Sequence, residues 1–247
     1  MACHTLVMRF DRYDDPQTPR HGKMTSHDMP KISDQVGHIR DGVWLISMFC
    51  KRNISWITVG VLWIGASCGG LAMLAMYANS PGPSRQAPSQ WPSDASIRLS
   101  DKGSTLILFA HPRCPCTRAS LGELEKIVAR FPRSVTPWVV FFKPSGSDDS
   151  WDQTDLQTTA AAIPGVHVVS DVDGVESRRF HATTSGQTML FDNQGRLSFN
   201  GGITQARGHA GDNVGRFAIE SNLADSASDC RGTSVFGCPI AGSLEQK

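Results

Sequence analysis

Apolar positions fall into three patterns along the chain. Residues 1–53 are polar, mixed in charge and poor in periodic apolar positions, which predicts a largely disordered cytoplasmic segment with one short amphipathic piece, Val43–Phe49. Met24 and Met48 stand within it as alternative starts. Residues 54–78 carry no charge and are apolar almost throughout, which predicts a transmembrane helix. Trp56 and Tyr77 would lie about 31 Å apart on that helix, close to the thickness of a hydrocarbon core. Residues 79–97 are rich in Pro, Ser and Gln, including Pro81, Pro83, Pro88 and Pro92, and read as an extended tether that does not pack on the folded region.

From Arg98 the pattern becomes that of a folded domain, residues 98–223. Thr105–Ala110 and Thr136–Phe142 are apolar runs of buried-strand type. Between them Leu121, Leu124, Ile127, Val128 and Phe131 recur at helical spacing, so Thr117–Phe131 is a helix. Ser150 is placed to cap a helix running to about Ala162, and Pro164-Gly165 ends it. Val166–Ser170 reads as a strand and Val175–His181 as a short helix. Gln187–Phe191 and Arg196–Asn200 flank Asp192-Asn193-Gln194-Gly195 as a hairpin, and Asp212–Leu223 is a closing helix. Strand and helix alternation followed by a hairpin predicts an α/β domain with a central mixed sheet flanked by helices. Residues 224–247 form a tail with Cys230 and Cys238. Its apolar island, Val235–Ile240, is expected to dock on the domain.

Charge sets orientation. Arg40, Lys51 and Arg52 precede the apolar span, and no basic residue follows it until Arg85. The positive-inside rule puts the N-terminus in the cytoplasm and the domain outside it, in a bacterial cell the periplasmic side of the inner membrane. The span is too long for a cleaved signal, and no small-x-small site fits well after it. Gly65 and Gly69 form a Gly-x-x-x-Gly suited to a homodimer of the helix. A formal net charge of +1 gives no electrostatic case for nucleic acid.

The chemistry-bearing stretch is His111-Pro112-Arg113-Cys114-Pro115-Cys116-Thr117-Arg118, at the turn from the first strand into the helix. Pro115 suits a first helical turn, which places Cys114 at the helix N-cap. There the unpaired N–H groups, the helix dipole and the Arg113 and Arg118 charges would favour a thiolate. Cys116, inside the turn, is expected to be the less exposed of the two. A disulfide between residues i and i+2 is strained and therefore labile. Cys238 is an alternative partner for Cys114, and Cys230–Cys238 is a third pairing. The seven cysteines contain no Cys-x-x-Cys pair, against a zinc ribbon.

With these motifs the region 98–223 resembles the thioredoxin-like superfamily, especially its membrane-tethered TlpA and ResA group. The wider set (His-Pro-Arg-Cys-Pro-Cys-Thr-Arg-Ala-Ser, Thr-Ser-Gly-Gln, Gly-Gly-Ile-Thr, Arg-Gly-His-Ala-Gly-Asp-Asn, Phe-Gly-Cys-Pro) is similar to bacterial proteins labelled RedB. The resemblance implies a thiol-disulfide oxidoreductase without cofactor, acting on protein thiols and disulfides outside the cytoplasm. It puts Cys114 at the attacking cysteine and Thr117 where the second cysteine would stand, so that Cys116 or Cys238 resolves. It puts Gly186 at the place of a cis-proline, assigns substrate contact to Gly186, Gln187 and Arg207, and brings the loop 201–213, with Arg207 and His209, near the cysteines. A peroxiredoxin reading is weaker, because that family's threonine is replaced by His111. A second reading is similarity to Sco-type copper chaperones, with Cys114 and Cys116 as Cu(I) ligands and His209 or His111 as a third.

Overall fold

The computed structural model describes residues 33–224 and 230–240. The chain divides into two units, Met1–Gly65 and Ala66–Lys247. Helix α1, Ser33–Ala78, runs through the first unit and ends in the second. It starts well before Ile54, so residues 33–53 are helical where disorder is expected from the sequence. The disorder expected of residues 1–32 lies outside the described residues. The stretch Ser55–Ala78, 24 residues of mean hydropathy 1.8, is long and apolar enough to cross a membrane.

The second unit is built on one five-stranded sheet. Strands β1 (Ser104–Ala110), β2 (Val135–Lys143), β3 (His167–Val172), β4 (Gln187–Phe191) and β5 (Leu197–Gly202) lie in the order β3-β2-β1-β4-β5. β1 pairs parallel with β2, and β2 with β3, while β4 is antiparallel to both β1 and β5. β1 is therefore the central strand, and its apolar run is what a strand covered on both faces requires.

Period-two alternation sorts its side chains. Leu106, Leu108 and Ala110 join a core with α2 (Thr117–Arg130), α3 (Asp155–Ala162) and α5 (Val214–Leu223). Ile107 and Phe109 face the opposite way. Helix α3 begins at Asp155, with the Thr154 hydroxyl accepting from the Gln157 N–H, so Thr154 and not Ser150 is its cap. α5 is capped by the Asn213 side chain, which accepts from the Arg216 N–H at 2.7 Å.

The second face has only α4 (Val175–Arg179) for a helix. The remaining cover is the segment 79–97, which does not behave as a free tether. Trp91 meets Phe180 and Phe191 edge to face, with centroids 5.1 and 5.2 Å apart. Ala87 and Ile97 are buried beside it. Backbone bonds fix the strap: Trp91 N–H to Gly195 O, Leu197 N–H to Ser89 O, and Gly82 N–H to Val235 O, each 2.8–3.0 Å. Proline is tolerated here because only every few residues does the strap donate an N–H.

The tail runs along β5. Asn200 donates its N–H to Arg231 O at 3.0 Å, and the Thr233 hydroxyl donates to Gly202 O at 2.7 Å. This close approach needs residues without Cβ. A Cβ on Gly201 would fall 2.4 Å from Thr233 N, and one on Gly202 2.6 Å from Ser234 O.

Candidate functional site

The site forms where β1 ends. Two tight turns follow each other: Cys114 N–H to His111 O and Thr117 N–H to Cys114 O, both 3.0 Å. Regular helix begins only at Thr117, with Cys116 as the capping residue. Cys114 therefore precedes the helix by one tight turn and is not itself the N-cap. Pro115 fixes the backbone between the cysteines, and the i to i+3 bond across it closes a turn too narrow for α-geometry. Exposure is also the reverse of the expectation: Cys114 is 1% exposed and Cys116 9%.

The Cys114 thiol is shifted below its ordinary value. Burial pushes it up, but four hydrogen bonds outweigh this: from the Cys238 N–H and thiol, the Cys116 N–H, and the Thr117 hydroxyl. Donors to the sulfur, two of them from the tail, supply the stabilisation. The arginines expected to help are engaged elsewhere. Arg113 lies over the Trp151 ring at 4.7 Å, and Arg118 pairs with Asp155. Burial, then the charge and hydrogen bond of the Cys114 sulfur, push Cys116 up. Burial, the hydrogen bond to Cys114 and the neighbouring sulfur charges push Cys238 up to about 11.

Arg207 is the cation that does face the thiols. It draws Cys116 and Cys238 downward against those effects. Its guanidinium donates to Gly237 O and, at 3.2 Å, to Ser80 O, and lies 4.9 Å over the Tyr77 ring. Its N–H donates to Ala78 O at 2.9 Å, satisfying a terminal carbonyl of α1. One residue thus holds the helix end, the strap and the tail around the cysteines.

Beneath the turn, the Thr117 and Ser185 hydroxyls share a hydrogen bond of 2.8 Å, and Ser185 Oγ accepts from the His111 N–H at 2.9 Å. Trp151 does not stand out in the sequence, being an isolated residue in a loop, and Ser185, though inside the Thr-Ser-Gly-Gln motif, is given its place beneath the turn only by the fold. Gly186 adopts φ +95°, open to glycine without strain, and donates its N–H to Phe109 O at 2.8 Å. The bend is made without a cis peptide, none being present among the described residues. Gln187 is 1% exposed and bonds Asn200 and the Thr183 N–H, so its side chain serves the fold.

Cys114, Cys116, Cys238 and Arg207 are thus brought together. His209 is exposed on the loop, and His111 Nδ1 accepts from the Arg113 N–H at 3.1 Å, with burial and then Arg113 holding its imidazole neutral. Among the described residues no group of three or more His, Cys, Asp or Glu side chains is placed to hold a metal ion. Cys230 packs against the helix-side core and its thiol bonds Gly232 O at 3.5 Å, while Cys238 faces Cys114, so of the three pairings open from the sequence the one between Cys230 and Cys238 is not formed.

A parallel β1-β2-β3 half, an antiparallel β4-β5 half, and cysteines in the turn after the central strand decide the architecture. The fold is thioredoxin-like. No family model matches the chain, and no curated protein matches it. Solved structures do. A conserved protein from Geobacillus kaustophilus is 16% identical, with 66% of this chain and 93% of that one covered, at a TM-score of 0.49. A secreted Mycobacterium tuberculosis disulfide oxidoreductase homologous to E. coli DsbE is 16% identical, covering 51% and 83%, at 0.37. StoA from Bacillus subtilis is 16% identical, covering 48% and 89%, at 0.35.

Proposed function

We propose that this chain is a membrane-anchored thiol-disulfide oxidoreductase whose attacking group is the Cys114 thiolate. The observation that carries this reading is the set of donors on the Cys114 sulfur, which lowers its pKa in spite of burial. Thioredoxin-like architecture accords with it. The apolar span Ser55–Ala78 and the basic residues before it support anchoring with the domain outside the cytoplasm, where disulfides persist.

The chemistry runs in two exchanges. Cys114 thiolate attacks one sulfur of a substrate disulfide. A Cys114–substrate disulfide forms, and the other substrate sulfur leaves as thiolate and takes a proton. A second thiol, Cys116 or Cys238, then loses its proton and attacks Cys114 sulfur, freeing the first substrate sulfur. The substrate gains two electrons, and the two protein thiols become a disulfide that an external dithiol must reduce. The site times the second exchange. The Cys114 charge helps to keep both resolving thiols protonated. Once Cys114 is in a disulfide that charge is gone, while Arg207 remains to favour the new thiolate.

The test uses the full chain in detergent with a small aromatic disulfide. Wild type should release two equivalents of coloured thiolate, Cys116→Ser or Cys238→Ser should still release the first, and Cys114→Ser should release none above the rate of its exposed thiols. Equal rates for wild type and Cys114→Ser would overturn the reading. A reporter active only outside the cytoplasm should work after Ser84 and fail before Lys51. The opposite pattern would overturn the orientation.

A further inference from the structure

The tail segment that carries Cys238 sits in a particular way. Ser185 donates its N–H to Cys238 O at 2.8 Å, and Ile240 donates its N–H to Thr183 O at 3.0 Å. These two bonds flank the antiparallel bridge Thr184–Pro239. In such a wide pair the central residues donate nothing to each other, so proline is admitted where its missing N–H costs nothing. Val235 and Ile240, 4% and 1% exposed, anchor the two ends, and Arg207 holds the Gly237 carbonyl. The result is an extended segment, lying outside the main sheet, with its cysteine presented to Cys114.

While it is seated, Cys114 is 1% exposed. An external disulfide needs an open line to that sulfur, so the segment and the incoming group compete for one space. Lifting the segment frees the N–H of Ser185 and the carbonyl of Thr183, the two groups that fix an extended chain by its backbone alone. The position before the cysteine is restricted as well. A Cβ on Gly237 would fall 1.9 Å from Ser185 O, a backbone atom that cannot swing aside.

We propose that Val235–Ile240 is a tethered surrogate for the substrate, and that the substrate is an extended polypeptide segment bearing a cysteine preceded by glycine. The proposal rests on Cys114 being the attacking thiol. The tail holds the seat in the resting protein, and a substrate segment takes it over with the same two backbone bonds, its cysteine sulfur where the Cys238 sulfur lies. The residue after that cysteine is free to be proline, and the next is apolar to fill the place of Ile240. The tail so excludes disulfides that cannot displace it.

The probe is the peptide Ser-Val-Phe-Gly-Cys-Pro-Ile, its cysteine joined to thionitrobenzoate. Attack by Cys114 forms a protein–peptide disulfide and releases the coloured thiolate, which is read by absorbance. With the full chain, Gly237→Ala should raise both the rate of Cys114 alkylation and the rate of peptide capture by about tenfold, because the tail no longer fits its seat. The probe with alanine in place of glycine should be captured about tenfold more slowly than the glycine probe. In wild type, a serine-for-cysteine version of the peptide at millimolar concentration should speed the alkylation of Cys238 by displacing it; this arm is independent of whether Gly237→Ala folds. Equal capture of the glycine and alanine probes, or Cys238 alkylation unchanged by the competitor, overturns the surrogate. A Cys114 that reacts with neither probe nor the small aromatic disulfide in any variant overturns the oxidoreductase reading instead.

Discussion

The two faces of the sheet are closed by different means. One is packed by α2, α3 and α5, whose apolar side chains repeat at helical spacing and interlock with Leu106, Leu108 and Phe141. The other is closed by a strap, a five-residue helix and the tail, with Trp91, Phe180 and Ile240 filling the core at irregular intervals. Helices satisfy their own backbone groups, so that face needs only side-chain complementarity. The strap and tail satisfy theirs by bonding the domain, residue by residue. The reactive turn stands at the seam: Cys114, Cys116 and Thr117 come from the helical side, and Cys238 and the Arg207-held segments from the other.

The sharpest way to break this comparison is to remove one cover. A chain beginning at residue 98 should lose cooperative thermal unfolding or melt far below one beginning at residue 79, as followed by circular dichroism. Equal melting would mean that the strap adds nothing to the core. Next in size, Leu124→Ala on the helical face should cost about 2–5 kcal/mol in denaturant titration. Trp91→Ala on the strap face, where the ring is only half-buried, should cost roughly 2–3 kcal/mol, close to the lower end of the large-to-small range. If Trp91→Ala is neutral, the strap is an ornament on a complete core.

A smaller effect separates the two sides of the seam. The Cys238 thiol has its pKa raised to about 11 in the folded protein. The unfolded chain then holds fewer protons than the folded one above roughly pH 8.5, so stability is full below that value and falls as pH rises toward the folded pKa. Cys238→Ser should flatten that alkaline loss. Cys114 has the opposite sign: its lowered pKa contributes stability above the unfolded value that is lost as pH falls through the folded one. The smallest expected change is Thr117→Val, which removes one hydroxyl donor and should move the Cys114 thiolate absorbance titration upward by a fraction of a unit, with Cys238 still bonded. No upward movement would leave the stabilisation to the tail and the Cys116 N–H alone.

The same contrast governs what could be read from the sequence. β1 and α2 are legible because Leu106 to Ala110 and Leu121 to Val128 repeat with the periods of a buried strand and a half-buried helix. Gly186 is legible as a bend. The strap is not, since its hydrogen bonds run through backbone groups common to all residues, and a Pro- and Ser-rich composition signals a free linker equally well. The helix start at Thr117 is read correctly, but Cys114 is misplaced at its N-cap, because composition alone does not distinguish the tight turn at Pro115 from a first helical turn. Three pairings are open for Cys114, Cys116, Cys230 and Cys238 from spacing. Only the seating of the tail, two backbone bonds at Thr183 and Ser185, brings Cys238 and not Cys230 to the reactive sulfur.

The glycines along the tail's path carry a further consequence. At Gly201, Gly202 and Gly237 the space for a methyl group is filled by backbone atoms of another segment. Chemistry plays no part in that requirement, and an alanine there is as foreign as a tryptophan. In a saturation mutagenesis map scored for activity, these positions would stand out as columns of uniform intolerance, although they belong to β5 and the tail and not to the cysteine turn. Joined together, such columns would trace the course of the tail across the domain, a silhouette of one segment drawn in the genetic sensitivity of another.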